Sequence, residues 1–111
     1  MTFLGKQRTM RWKFVDGLFA GLLVVWPVLS GILATIVALG LAIGVIEGWS
    51  VQESIYFSFV TGLTIGYGDF APQTFLTRAL AIVIGICGIL VTALVAAIAV
   101  KALGAVGKDD V

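Results

Sequence analysis

Thr64-Ile65-Gly66-Tyr67-Gly68-Asp69 is the stretch on which the reading of this chain turns. Glycine recurs at alternate positions, Gly66 and Gly68, and glycine accepts positive φ at little steric cost. Such alternating dihedrals allow successive carbonyls to point to one side of the strip. Upstream, Ser50-Val51-Gln52-Glu53 reads as a capping box, with serine at the N-cap and glutamate three residues on. It opens a short helix expected over 51–62. That helix is too short to cross a bilayer, yet Ile55, Tyr56, Phe57, Phe59 and Val60 are apolar enough to enter one. Non-helical backbone inside a membrane must be shielded by other protein. The short helix and the loop after it are therefore expected among spanning helices, some from other copies of the chain.

Composition agrees with a membrane setting. Of 111 residues, 60% are hydrophobic and only 12% charged, more apolar surface than a soluble domain of this size can hide. The net charge of +1 indicates no nucleic-acid partner. Cys87 is the only cysteine, so no intrachain disulfide can form, and an inert thiol within an apolar helix is expected. There is no histidine and no ligand cluster with zinc spacing. No phosphate-binding loop or nucleophile elbow appears. No nucleophile, base and oxyanion donor can be assembled, so the chain does not read as an enzyme, and no cofactor or obligate small-molecule substrate is expected.

Two long apolar stretches flank the hexapeptide. Gly17 to Ile46 lacks any charge and would be about 45 Å long as one helix, against a hydrocarbon core of about 30 Å. It is also far longer than the apolar part of a signal peptide. Pro27 is a natural divider, which gives an outer helix over 27–46 and an N-terminal segment over 1–26. Within that segment, Phe14, Val15, Leu18, Phe19, Leu22 and Leu23 group opposite Lys13, Asp16, Gly17 and Ala20. A short helix at the inner membrane interface fits this pattern, as does a single long helix kinked at Pro27. Gly40 and Gly44 have the spacing of a close-packing pair. Asp69-Phe70-Ala71-Pro72 breaks the structure again, an inner helix is expected over 75–106, and 107–111 forms a short tail. Lys6, Arg8, Arg11 and Lys13 precede the first stretch, and Lys101 and Lys108 close or follow the second. Basic flanks favour the cytoplasmic side, so both termini are expected inside.

The hexapeptide, preceded by a capped half-helix and set between two spans, resembles the selectivity filter of potassium channels. The likeness covers about 27–106 and is closest to two-span bacterial potassium channels. It implies an all-α membrane protein: two transmembrane helices, a re-entrant pore helix over 51–62 and a filter over 64–69, assembled as a homotetrameric pore in a bacterial or archaeal plasma membrane. Backbone carbonyls there replace the hydration shell of K⁺. By motif position, Thr64, Ile65, Gly66, Tyr67 and Gly68 carry the ion sites, with K⁺ held at Thr64, Ile65, Gly66 and Tyr67, and Asp69 lies at the outer mouth. The permeant K⁺ is cargo; the lipid bilayer and three further copies of the chain are the implied partners. Counting on from the filter places a gating hinge at Gly88, with Gly85 one turn earlier, and turns Ile89, Thr92 and Ala96 toward a water-filled cavity.

The chain departs from the family pattern at three places. Leu63 stands where many members carry a second threonine. Tyr56 and Phe57 replace a tryptophan pair, and because Phe57 cannot donate a hydrogen bond, Thr61 becomes the candidate partner for Tyr67. Val60 stands where some members keep a buried acid. A less selective cation channel on the same scaffold, and a non-conducting membrane assembly protein, are the competing readings. No arginine-rich helix is present, so no dedicated voltage sensor is expected.

Overall fold

The computed structural model describes residues 2–110. Met1 and Val111, at the ends of the expected N-terminal segment and tail, lie outside the described residues. Three helices occur among them: α1 (Thr2–Glu47), α2 (Val51–Gly62) and α3 (Phe75–Asp110). Gln7–Glu47 and Phe75–Gly104 are long and apolar enough to cross a membrane. Only 28% and 17% of their most apolar windows are buried, which sets them apart from the core helices of a soluble protein.

The outer helix was expected to begin at Pro27, but α1 begins at Thr2 and passes through Pro27 without a break. The long-helix alternative describes it better than a separate interfacial helix. A proline removes one intrahelical hydrogen bond and crowds the preceding turn at a cost of about 3 kcal/mol. α3 likewise runs past 106 to Asp110.

The described chain forms two compact units. In the first, the part of α1 up to Pro27 packs with α3 from Ala93 onward. Gly17 faces Ala102, and a Cβ on Gly17 would stand 3.2 Å from the Ala102 Cβ. A Cβ on Gly21 would stand 2.5 Å from Ile98 Cγ2. The small residues of α1 thus let the two backbones approach, while the large apolar ones, Val15, Phe19 and Leu23, stay exposed.

The second unit, Val28–Thr92, contains the rest of α1, all of α2 and the first part of α3. Its core is Ile36, Ile43, Phe57 and Ile84, with Leu33, Leu39, Leu80 and Val91 packed against it. Gly40 and Gly44 lie against α2: a Cβ at either would collide with the Ser58 or Ser54 side chain, respectively. Both serines are buried, and each satisfies its hydroxyl one turn back, Ser54 on Ser50 O and Ser58 on Ser54 O, both at 2.8 Å. Serine tolerates this burial because that back-bond needs no partner on the facing helix. The result is a helix contact with almost no side-chain spacer.

Candidate functional site

The ends of the three helices bring the site together. α1 terminates through Gly48, whose φ of 79° allows Trp49 N to donate to Gly44 O at 2.8 Å, the Schellman pattern. Three residues later the capping box starts α2: Ser50 Oγ accepts from Glu53 N at 3.1 Å, and Glu53 Oε1 accepts from Ser50 N at 2.8 Å. At its other end α2 delivers the chain into residues 63–69. Leu63 N donates to Phe59 O at 2.8 Å and Thr64 N to Thr61 O at 3.1 Å. Val60 O then accepts from both Ile65 N at 2.9 Å and Gly66 N at 3.3 Å.

Positive φ recurs at every second residue of the strip: Thr64 at 62°, Gly66 at 60° and Gly68 at 84°. Ile65 and Tyr67, between them, are not in that region. The two glycines adopt it freely. Thr64 does not: a β-branched side chain with positive φ is a rare conformation, costing about 1–3 kcal/mol. Its hydroxyl donates to Leu63 O at 2.6 Å. Among the described residues, no donor reaches the carbonyl oxygens of Thr64, Ile65, Gly66, Tyr67 or Gly68. The strip therefore ties its first amides back to α2 and leaves a run of oxygens unpaired within the chain. It is exposed in the single chain, with Ile65 at 48% and Tyr67 at 69%.

Behind the strip lies an aromatic cluster. Asp69 Oδ2 accepts from the Tyr56 hydroxyl at 2.8 Å, and Asp69 Oδ1 accepts from Phe70 N at 3.2 Å. That hydrogen bond to Asp69 holds the Tyr56 phenol above its ordinary pKa. Trp49 stands 5.0 Å from Phe57 and 5.4 Å from Phe70, and Tyr56 stands 5.9 Å from Phe70, ring centre to ring centre. These tilted and edge-on geometries are the favoured ones for aromatic pairs. Trp49 is half-buried in this cluster.

The other candidate residues are placed as follows. Thr61 is half-buried and contributes its carbonyl to Thr64 N; among the described residues its hydroxyl makes no hydrogen bond to Tyr67. Gly88 lies against the end of α2, where a Cβ would collide with Gly62 O. Gly85 has open space, with nothing within 4 Å of such an atom. Ile89 and Thr92 are exposed, and Thr92 Oγ1 donates to Gly88 O at 2.9 Å. Ala96 is exposed in the other unit. No group of His, Cys, Asp or Glu able to hold a metal occurs among the described residues, so the oxygens offered by the strip are peptide oxygens.

Glu47 was not singled out from the sequence. Its Oε1 accepts from Thr77 Oγ1 at 2.7 Å, from Gln73 N at 2.9 Å and from Thr74 N at 3.4 Å. The available signal was indirect. Thr74 and Thr77 form a cap for α3 with no acidic residue in its first turn, and a lone glutamate ends the preceding span.

A family model described as an ion channel matches residues 21–105. "Probable potassium channel protein 2" of Methanocaldococcus jannaschii is 44% identical over 61 residues, which are 55% of this chain and 17% of that protein. "Potassium channel subfamily K member 4" of Mus musculus is 35% identical over 63 residues, 57% of this chain and 16% of that protein. "Potassium channel protein 1" of Methanocaldococcus jannaschii is 48% identical over 33 residues, 30% of this chain and 10% of that protein. The matched part thus spans about a sixth or less of the length of these relatives. No solved structure gives a significant match.

Proposed function

This chain belongs to the ion-channel family, and from that premise we propose that it conducts K⁺ passively through a filter of backbone carbonyls. One observation carries the reading: positive φ at Thr64, Gly66 and Gly68 in a strip whose carbonyls accept no hydrogen bond within the chain. Alternation of this kind turns successive peptide oxygens the same way, and once further copies of the chain enclose the strip, a carbonyl without a partner is costly. A dehydrated cation supplies the missing partner. Peptide dipoles can replace its water shell without a full negative charge that would trap it. The potassium-channel names of the relatives from Methanocaldococcus jannaschii and mouse support potassium as the cargo.

One chain provides one strip, so a closed ring needs several copies, and a homotetramer is the assembly proposed. In it α2 is the pore helix, re-entering from the outer face with its C-terminus toward the membrane centre. The partial negative charge of that terminus favours a cation there. The ion sites are formed by Thr64, Ile65, Gly66, Tyr67 and Gly68. Asp69 lies at the outer mouth, held by Tyr56, and Thr61 supports Tyr67 of an adjacent copy. Ile89, Thr92 and Ala96 line the inner cavity, and the inner helix bends at Gly88 and Gly85. Basic residues near both ends, Arg8, Arg11, Lys13 and Lys101, support cytoplasmic termini.

Reconstituted protein should release K⁺ from loaded vesicles, with block by barium. Its reversal potential in mixed potassium and sodium should follow the potassium gradient. Equal permeability to the two ions would replace this reading with that of a weakly selective cation channel. Absence of any cation flux from intact tetramers would favour a non-conducting assembly protein.

A further inference from the structure

The backbone passes between the two compact units twice, from Pro27 to Val28 on α1 and from Thr92 to Ala93 on α3. Both crossings fall where the helix ladder is weak. Pro27 has no amide hydrogen for the carbonyl one turn back, so α1 lacks a rung there. Helices bend most readily at such a residue. On α3, Thr92 Oγ1 donates to Gly88 O at 2.9 Å. A hydroxyl bonded back in this way competes with the ladder and bends helices. The division of the chain and its local hydrogen bonding are independent of one another, and they coincide on both helices.

The unit formed by α1 up to Pro27 and α3 from Ala93 is interlocked by its own packing. Ile98 and Ala102, one turn apart on α3, are 9% and 4% exposed. Ile98 sits over Gly21 and Ala102 over Gly17, so closely that a Cβ on either glycine would crowd them. Helices in lipid have no hydrophobic drive to associate, and close van der Waals contact of this kind supplies much of their adhesion. Parting the two segments would forfeit it. Bending α1 at Pro27 breaks no rung at that point, because the proline has already removed it. Movement of the end of α3 therefore costs least when the first part of α1 travels with it.

We infer that residues 2–27 of α1 and 93–110 of α3 move as one body in gating, with Pro27 and the turn from Gly88 to Thr92 as paired pivots. This rests on the channel reading above. It differs from bending of the inner helix alone, in which α3 would slide away from a stationary α1. The contact of Gly17 with Ala102 is kept in both the conducting and the closed state, and the proline is a working part of the gate.

The test uses the full chain carrying Cys87→Ala, so that only introduced thiols can pair. Gly17→Cys with Ala102→Cys sets two Cβ atoms 3.2 Å apart, a few tenths of an ångström short of the separation of about 3.5–4.5 Å that a disulfide spans. Oxidation should link them within one chain, read as loss of maleimide labelling, and single-channel open probability should be the same oxidised as reduced. A channel locked open or shut by oxidation and freed by reduction overturns the proposal, because the segments then part during gating. Failure of the two thiols to pair overturns it as well. A restored backbone hydrogen bond shifts a two-state balance about two- to tenfold. Pro27→Ala should change open probability by that factor, toward the state in which α1 is straighter, in the oxidised pair as much as in the reduced one. Val28→Ala, at the next and exposed position, alters no backbone hydrogen bond and should leave open probability unchanged. A Pro27→Ala protein that melts at higher temperature but gates as before marks a merely structural proline and overturns the proposal. Thiol pairing is read without any current. Absence of flux in unmodified protein, even with the thiols paired, would remove the channel reading, and this inference with it.

Discussion

Gly88→Ala separates two roles for the inner-helix glycines. The methyl it adds would collide with Gly62 O and would stand 2.9 Å from the Gly62 carbonyl carbon and 3.0 Å from its Cα. All three are backbone atoms, so no rotamer change relieves the contact, and one helix must move. Overpacking of this kind costs about 1–3 kcal/mol. Against it stands the helix-propensity gain of glycine to alanine, about 1 kcal/mol. Because the contacted atoms are backbone, the cost should lie toward the upper end of its range, and the net loss should be up to about 2 kcal/mol. Displacement of Gly62 also moves Val60, two residues upstream, whose carbonyl holds Ile65 N and Gly66 N. In the proposed channel, potassium-to-sodium selectivity should therefore fall together with thermal stability. Gly85→Ala is the control: its methyl meets nothing within 4 Å, so it should raise stability by about 0.5–1 kcal/mol and leave selectivity unchanged. If both glycines served only as hinges, both alanines would stiffen α3 and change gating in the same direction, with selectivity intact. Thermal melting of the protein in detergent and reversal potentials in mixed cations read the difference. Equal stabilisation by both substitutions with unchanged selectivity would refute the packing argument.

Gly44→Ala should also destabilise, by about 1–3 kcal/mol, because its methyl would fall on the buried Ser54 side chain; Ser54→Gly in the same chain should restore much of the melting temperature. Thr61→Val should lower selectivity or speed filter closure if its hydroxyl supports Tyr67 across a subunit boundary; single-channel recordings with both properties unchanged would exclude that support. The Tyr56 phenol is held above its ordinary value by Asp69. Its contribution is therefore fully present below the unfolded phenol's pKa of about 10 and is lost as pH rises through the raised folded value. Tyr56→Phe should remove that alkaline loss of stability, and a pH series of melting curves on the two proteins checks it.

The local features of the site could be read directly from residue order. Ser50 and Glu53 announce the start of α2 because a capping box involves only residues three apart. Gly66 and Gly68 announce positive φ because no other residue takes it as cheaply. Two uncharged stretches announce the spans because hydrocarbon excludes charge over a fixed thickness. Thr64 was less legible: its backbone is of the type that favours glycine, and nothing in its side chain advertises that.

Relations between distant residues were decided by the tertiary structure. Gly40 and Gly44 had a spacing that chance also produces among fourteen glycines; only the position of α2 puts Ser58 and Ser54 against them. Nothing in the residue order marks Glu47 as a partner of Thr77; α3 brings the two together across thirty residues of chain. Pro27 read as a divider because the local rule is strong, yet α1 runs through it. Backbone conformation and membrane partition follow from each residue and its near neighbours, and so they were written in the order of the chain. Which helix a glycine faces, and which donors a carboxylate meets, depend on how separate elements come to rest against one another, and that only the folded chain decided.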